Sequence, residues 1–231
     1  MKGTIFGVGV GPGDPELMTL KALRLIRETE VIALPGKEPR ETVAYKIAVQ
    51  AAPELAEKEL LPIEMPMLRD RERLAEAHRQ GARQLEAAAD EGKNVVFLTL
   101  GDPTVYCTFS YLQHILEADG YPVALVSGVP SFCAAAARLG VPLGEWDEMI
   151  HILPAAHKTE DALALEGSYV LMKSASHMPA VKKLLRQSGR EVSAVLDCGM
   201  ESERVCRSLE EIPDDAGYFS LIIARDKREH P

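Results

Sequence analysis

Thr4-Ile5-Phe6-Gly7-Val8-Gly9-Val10-Gly11-Pro12-Gly13-Asp14-Pro15 and Asn94-Val95-Val96-Phe97-Leu98-Thr99-Leu100-Gly101-Asp102-Pro103-Thr104-Val105-Tyr106 share one plan. Each is an apolar, β-like run that ends in a Gly/Asp/Pro turn. Short apolar runs bounded by such turns read as buried strands. Open α/β sheets bind ligands at the carboxyl ends of their strands, so the two turns are expected to form two walls of one crevice. Glycine lets backbone approach a ligand there, proline stiffens the loop, and aspartate supplies an oriented carboxylate. The pairing points to an enzyme acting on a small molecule.

The nucleotide motifs fail at both places. A dinucleotide fingerprint needs G-x-G-x-x-G, but the sixth position is Pro12 counted from Gly7 and Asp14 counted from Gly9. A phosphate-cradling loop needs Gly-Lys-Ser/Thr, and Gly36-Lys37 is followed by Glu38, Gly92-Lys93 by Asn94. A carboxylate repels phosphate and two prolines remove amide donors from the first turn. The loop suits a ligand without phosphates, one bearing positive charge included.

Working outward, the spacing of Leu17, Leu20, Leu23 and either Leu25 or Ile26 predicts a helix over 16–28. A short buried strand over 31–34 stops at Pro35-Gly36. A helix over 42–52, a strand over 59–63 and a long helix over 70–91 follow, the last ended by Gly92. After the strand at 95–100 come a helix over 108–118 and a strand over 123–126. This alternation makes an α/β fold, with a mainly parallel five-stranded sheet covered on both faces, as an N-terminal domain of residues 1–128. Ser127-Gly128-Val129-Pro130-Ser131 reads as a hinge to a C-terminal α/β domain of residues 129–231. There a small-residue helix over 131–139 precedes strand-like runs at 149–153, 168–172, 192–196 and 218–224, with a further short strand within 204–209. The closer spacing of strands predicts a mixed sheet.

Bulk composition narrows the class. At 231 residues with 46% hydrophobic side chains the chain can bury a core in each of two domains. A net charge of −9 removes the attraction that drives non-specific nucleic-acid binding. No apolar run approaches the ~20 residues that span a bilayer, and the N-terminus enters a strand directly, without signal-peptide character. Cys107, Cys133, Cys198 and Cys206 lack metal-site spacing and read as packing residues in a reducing cytoplasm. No pair of histidines has ligand spacing: His78 and His114 fall in helical patterns, and His151 alternates with strand residues. His157 and His177 sit near loops from which they could touch a substrate. Arg69-Asp70-Arg71-Glu72-Arg73 reads as a solvated helix start, or as a meeting point for substrate carboxylates.

Gly9-Val10-Gly11-Pro12-Gly13-Asp14-Pro15-Glu16-Leu17-Met18-Thr19-Leu20-Lys21-Ala22 resembles the opening signature of the S-adenosylmethionine-dependent tetrapyrrole methyltransferases of cobalamin and sirohaem biosynthesis. The Gly101-Asp102-Pro103 turn, the Ser127-Gly128-Val129-Pro130-Ser131-Phe132 turn and the Tyr169-Val170-Leu171-Met172-Lys173 strand occur in the family's order, and the likeness covers nearly the whole chain. Residues Gly101 to Leu112 look most like the precorrin-2 C20-methyltransferases. The resemblance implies a two-domain homodimer with the methyl donor in an interdomain cleft and a tetrapyrrole acceptor, acting without nucleic acid, membrane or protein-bound metal. By position it implies that Leu100, Gly101, Asp102 and Val105 face the donor, largely through backbone groups. Ser131 and Phe132 line another side, Met172 packs on the adenine, and Gly199 lets the backbone approach. Pro130 departs from the Ser or Thr of many relatives. Asp14 is the candidate general base for the proton displaced from the acceptor carbon; its other reading is the N-cap of the helix beginning near Pro15. Two alternatives remain open: a methyltransferase of the same fold with another acceptor, or a module that binds a nucleotide-like ligand without turnover.

Overall fold

Alternation along the first strands sets the architecture of the N-terminal half. The computed structural model describes residues 1–68, 70–154, 163–174 and 177–226. In it β1 (Ile5–Gly9), β2 (Val31–Pro35), β3 (Glu59–Ile63), β4 (Val95–Thr99) and β5 (Val123–Val126) form one parallel sheet in the order β3-β2-β4-β1-β5. Val8, Ile32, Leu34, Val96 and Leu98 point to one face and pack with α1 (Leu20–Glu28) and α2 (Val43–Ala51). Ile5, Val31, Ala33, Val95 and Phe97 point to the other and pack with α3 (Arg71–Asp90) and α4 (Phe109–Ala118). A parallel sheet buried on both faces needs near-continuous apolar strands, which explains their composition. Phe97 and Phe109, ring centroids 5.1 Å apart, are fully buried, each contributing about 1.5–3 kcal/mol of apolar burial.

The strand order also locates the ligand edge. β1 leads into α1 on one face and its neighbour β4 leads into α4 on the other. The chain reverses direction across the sheet between them, at the carboxyl ends where open sheets take ligands.

The expected helix over 16–28 is two elements. Pro15–Leu17 is a single 3-10 turn, and α1 starts afresh at Leu20 because the Thr19 hydroxyl accepts the Ala22 N–H at 3.2 Å. The buried face is Ala22, Leu25 and Ile26, while Leu20 is 84% exposed and leaves the expected stripe. Elsewhere the caps fall where the spacing placed them: Thr42 caps α2 through Tyr45 N, and Asp70 Oδ1 caps α3 through Glu72 N and Arg73 N.

The chain divides into two compact units, Met1–Pro130 and Ser131–Pro231. In the second, β6 (Ile150–Pro154), β7 (Ser168–Met172), β8 (Glu191–Leu196), β9 (Arg204–Cys206) and β10 (Ser220–Arg225) order as β6-β7-β10-β8-β9. Among the described strands only β6 and β7 run parallel; the remaining pairs are antiparallel, so the sheet is mixed. Tyr169, Leu171, Ala194, Leu196 and Ile222 pack with α6 (Met178–Ser188), whose end is closed by Gly189 at φ +68°. α5 (Ser131–Leu139) packs on β8 and β10. Of the cysteines, Cys198 and Cys206 are buried as expected, but Cys133 is exposed on α5. Among the described residues no helix is long and apolar enough to cross a membrane.

Candidate functional site

The carboxyl edge of the first sheet is a set of three stitched loops. After β1, Gly11 donates its N–H to the Gly101 carbonyl at 3.3 Å, and Gly101 N donates back to the Gly11 carbonyl at 2.8 Å. The two turns expected as separate walls are therefore one hydrogen-bonded floor across β1 and β4. Both glycines have left-handed backbones, Gly11 at φ +80° and Gly101 at φ +69°, a region that side chains with a Cβ enter at a cost. The loop after β5 closes in from the other side. A Cβ on Gly128 would lie 2.0 Å from the Gly101 carbonyl oxygen, and one on Gly9 would lie 2.4 Å from it.

Asp102 braces this floor. It is only 7% exposed; Oδ2 accepts the Gly128 N–H at 3.0 Å and Oδ1 accepts both the N–H and the hydroxyl of Thr104. The oriented carboxylate is thus spent within the loops, and the backbone of residues 100–105 is the surface on offer. Leu100 packs on the α1/α2 side of the core, and Val105 N closes a turn onto the Asp102 carbonyl at 3.3 Å. Asp14 Oδ1 accepts the Glu16 N–H at 2.9 Å, so its capping role is real; Oδ2 takes no hydrogen bond among the described residues.

The candidates of the second unit gather at the carboxyl edge of its own sheet. Met172 ends β7 opposite Leu221 of β10, which pairs in turn with Val195 of β8. Gly199 follows β8 at φ +76°, placing it on the same edge as Met172 with only β10 intervening. Two non-glycine residues there, Lys173 at φ +58° and Asp197 at φ +50°, hold left-handed backbones, a strain that concentrates at functional sites. Beside Met172 and Lys173 the buried hydroxyl of Ser174 has no hydrogen-bond partner among the described residues. Ser131 and the buried Phe132 open α5. That helix is tied to the Gly199 loop through Glu203, whose Oε2 accepts the Gly199 N–H at 2.7 Å while Oε1 pairs with Arg138 Nε at 2.7 Å.

Four contributors had no role assigned from the sequence. The Thr19 hydroxyl not only caps α1 but also donates to the Ser127 carbonyl at 3.2 Å, tying the first loop to the third; a threonine directly before Leu20-Lys21-Ala22 was the available signal. Gly9 and Gly128 left only the general signal of glycine at strand ends. Glu203 had none, because its partners lie on other elements. Among the expected substrate contacts, His177 stands at the N-cap of α6, while His157 and Arg69 lie outside the described residues.

The first unit's edge offers glycine-lined backbone without Cβ atoms, which suits close approach of a phosphate-free ligand. Among the described residues no group of three or more His, Cys, Asp or Glu side chains could hold a metal ion. Residues 4–213 match the family of the tetrapyrrole (corrin/porphyrin) methylases. Over 229 residues the chain is 34% identical to a probable cobalt-precorrin-2 C(20)-methyltransferase of Methanocaldococcus jannaschii, covering 97% of each. It is 31% identical over 240 residues to the cobalt-precorrin-2 C(20)-methyltransferase of Salmonella typhimurium, covering 100% of this chain and 99% of that one. The fold is similar to a cobalt precorrin-4 methyltransferase, with a TM-score of 0.76 at 21% identity over 96% and 94% of the two chains. It is also similar to uroporphyrin-III C-methyl transferase from Thermus thermophilus complexed with S-adenyl homocysteine, with a TM-score of 0.71 at 24% identity over 96% and 92%.

Proposed function

The chain belongs to the tetrapyrrole (corrin/porphyrin) methylases, and we propose that it transfers a methyl group from S-adenosylmethionine to C20 of precorrin-2 or cobalt-precorrin-2 in cobalamin biosynthesis. The observation that carries the choice of carbon is the full-length likeness to relatives named for C20 methylation, at 34% and 31% identity. S-adenosylmethionine supplies an electrophilic methyl group on a sulfonium sulfur. As the C20–methyl bond forms, the methyl–sulfur bond breaks, its electron pair stays on sulfur as a thioether, and C20 loses a proton.

The work left to the protein is positioning, because an electron-rich macrocycle brings its own carbon nucleophile. Leu100, Gly101, Asp102 and Val105 present backbone to the donor, held in place by the Asp102–Gly128 and Gly11–Gly101 hydrogen bonds. Ser131 and Phe132 contribute from α5, Met172 packs on the adenine, and Gly199 allows close approach of the loop tethered by Glu203. Asp14 Oδ2 is the oxygen available to take the C20 proton. The reaction needs no protein-bound metal. The reading further places the enzyme in the cytoplasm as a homodimer without nucleic-acid or membrane partners; the net charge of −9 supports the absence of a nucleic-acid partner.

Calorimetry in the presence of a chelator tests the donor half of the reading. Saturable binding of S-adenosylmethionine, and of its demethylated product, is the expected result. Preference for a nicotinamide cofactor would overturn it.

A further inference from the structure

We infer that the stacked rings of His78 and Tyr111 form a shelf on which the flat acceptor macrocycle lies, an assignment that rests on the function proposed above. The rings come from neighbouring helices, His78 from α3 and Tyr111 from α4. Their centroids are 4.8 Å apart and their planes within 9° of parallel. His78 is only 8% exposed, whereas Tyr111 is 53% exposed. One aromatic ring is thus held flat by a buried one and still presents much of its surface to solvent. An exposed tyrosine on a helix ordinarily keeps its rotamer freedom; here the stack has already removed it.

The position of the pair follows from packing one turn below it. A Cβ on Gly81 would lie 2.8 Å from Ile63 Cγ2 and 3.3 Å from Leu112 Cδ2, so α3 and α4 meet at the level where β3 ends. His78 stands three residues before Gly81 on α3, about 4.5 Å nearer the helix start, and Tyr111 immediately precedes Leu112. Both helices begin at the carboxyl edge of the sheet, so the ring pair rises above that edge. The start of α4 is pinned to the donor-side loop, since Cys107 Sγ lies 3.0 Å from Thr99 Oγ1 at the end of β4 and accepts the Phe109 N–H at 3.3 Å.

The surroundings match the chemistry of a reduced tetrapyrrole, a conjugated ring with carboxylates at its periphery. The face of α3 that is core at Ala82, Leu85 and Ala89 continues past His78 to Leu74 and the exposed Arg71. The loop from β3 exposes Met67 at 93%. Arg71 and Arg73 form no ion pair among the described residues, while Asp70 between β3 and α3 is occupied as the helix cap. An aromatic ring and a soft thioether favour the macrocycle's face, and the guanidinium groups favour its carboxylates.

Two variants and two ligands test this. Tyr111→Ala removes the ring, and Tyr111→Leu keeps apolar contact with His78 while removing the flat surface. Both are expected to raise KM for the acceptor roughly three- to tenfold. Affinity for S-adenosylmethionine by calorimetry and the melting temperature should stay near wild type, and Tyr111→Phe should restore the acceptor KM. Unchanged acceptor KM in both the Ala and Leu variants, in an enzyme whose wild type methylates C20, would overturn the shelf and leave the function standing. Loss of donor affinity in step with acceptor affinity would also overturn it, by making Tyr111 a folding residue. A wild type that binds no S-adenosylmethionine would instead sink the function on which the shelf depends.

Discussion

Gly128 packs tightly on the Gly101 carbonyl, and the consequence of crowding the pair is calculable. In Gly128→Ala the new methyl would stand 2.0 Å from the Gly101 carbonyl oxygen, so backbone must move and the Asp102–Gly128 hydrogen bond is lost. A loss of about 2–4 kcal/mol in urea denaturation is expected. Gly101→Val meets a different fate. Its φ of +69° imposes about 1–2 kcal/mol of strain, which a domain with ordinary stability survives, but its side chain occupies the surface proposed to receive the donor. Circular dichroism should remain native while calorimetry shows donor binding abolished; normal binding would reduce Gly101 to a turn residue. His78 adds a titration. Burial holds its imidazole pKa below the ordinary value, so on acidification the unfolded chain takes up a proton first, from about pH 6.5 downward. Stability should therefore fall below that pH, and His78→Phe, which keeps the stack, should flatten the melting-temperature profile there. The glycines and Asp102 were legible in the sequence because turn chemistry is local. That Asp102 serves Gly128, and that His78 serves Tyr111, was not, since partners 26 and 33 residues away leave no local mark.

The elements teach the same distinction between local and distant causes. The helix starts at Thr42 and Asp70 could be read from their positions, and the helices formed there. The segment 16–28 could not, because its leucine spacing fitted an unbroken helix while the Thr19 hydroxyl favoured a new start. Thr19 links that start to the Ser127 carbonyl, so Thr19→Val should cost about 1 kcal/mol for the lost cap. It should also weaken donor binding by loosening the third loop. Thr19→Ser, which retains the hydroxyl, should restore both, as thermal melts and calorimetry would show. The tether of Gly199 by Glu203 makes a parallel case in the second unit: Glu203→Ala frees the Gly199 N–H and the Arg138 guanidinium together. Donor affinity should then fall more than the melting temperature does, and an equal fall in both would assign Glu203 to stability alone.

At the scale of the whole molecule, alternation of strand and helix was enough to give a parallel first sheet, and short strand spacing a mixed second one. The order β6-β7-β10-β8-β9 was beyond the sequence because the final strand inserts between two earlier ones, a choice made by burial of its two apolar faces rather than by any turn. The order sets Met172 and the Gly199 loop, both proposed to meet the donor, on one edge with only β10 intervening. Both edges carry strained or glycine backbone in place of reactive side chains, which suits an enzyme that aligns two reactants and leaves the chemistry to them. The position at which the methyl group lands is therefore the decisive property. The chain should be incubated with S-adenosylmethionine isotopically labelled in its methyl carbon and with precorrin-2 or its cobalt form, and the product assigned by mass and carbon NMR. A single labelled methyl at C20 is the predicted result; a label at C17, C11 or C1 would contradict it.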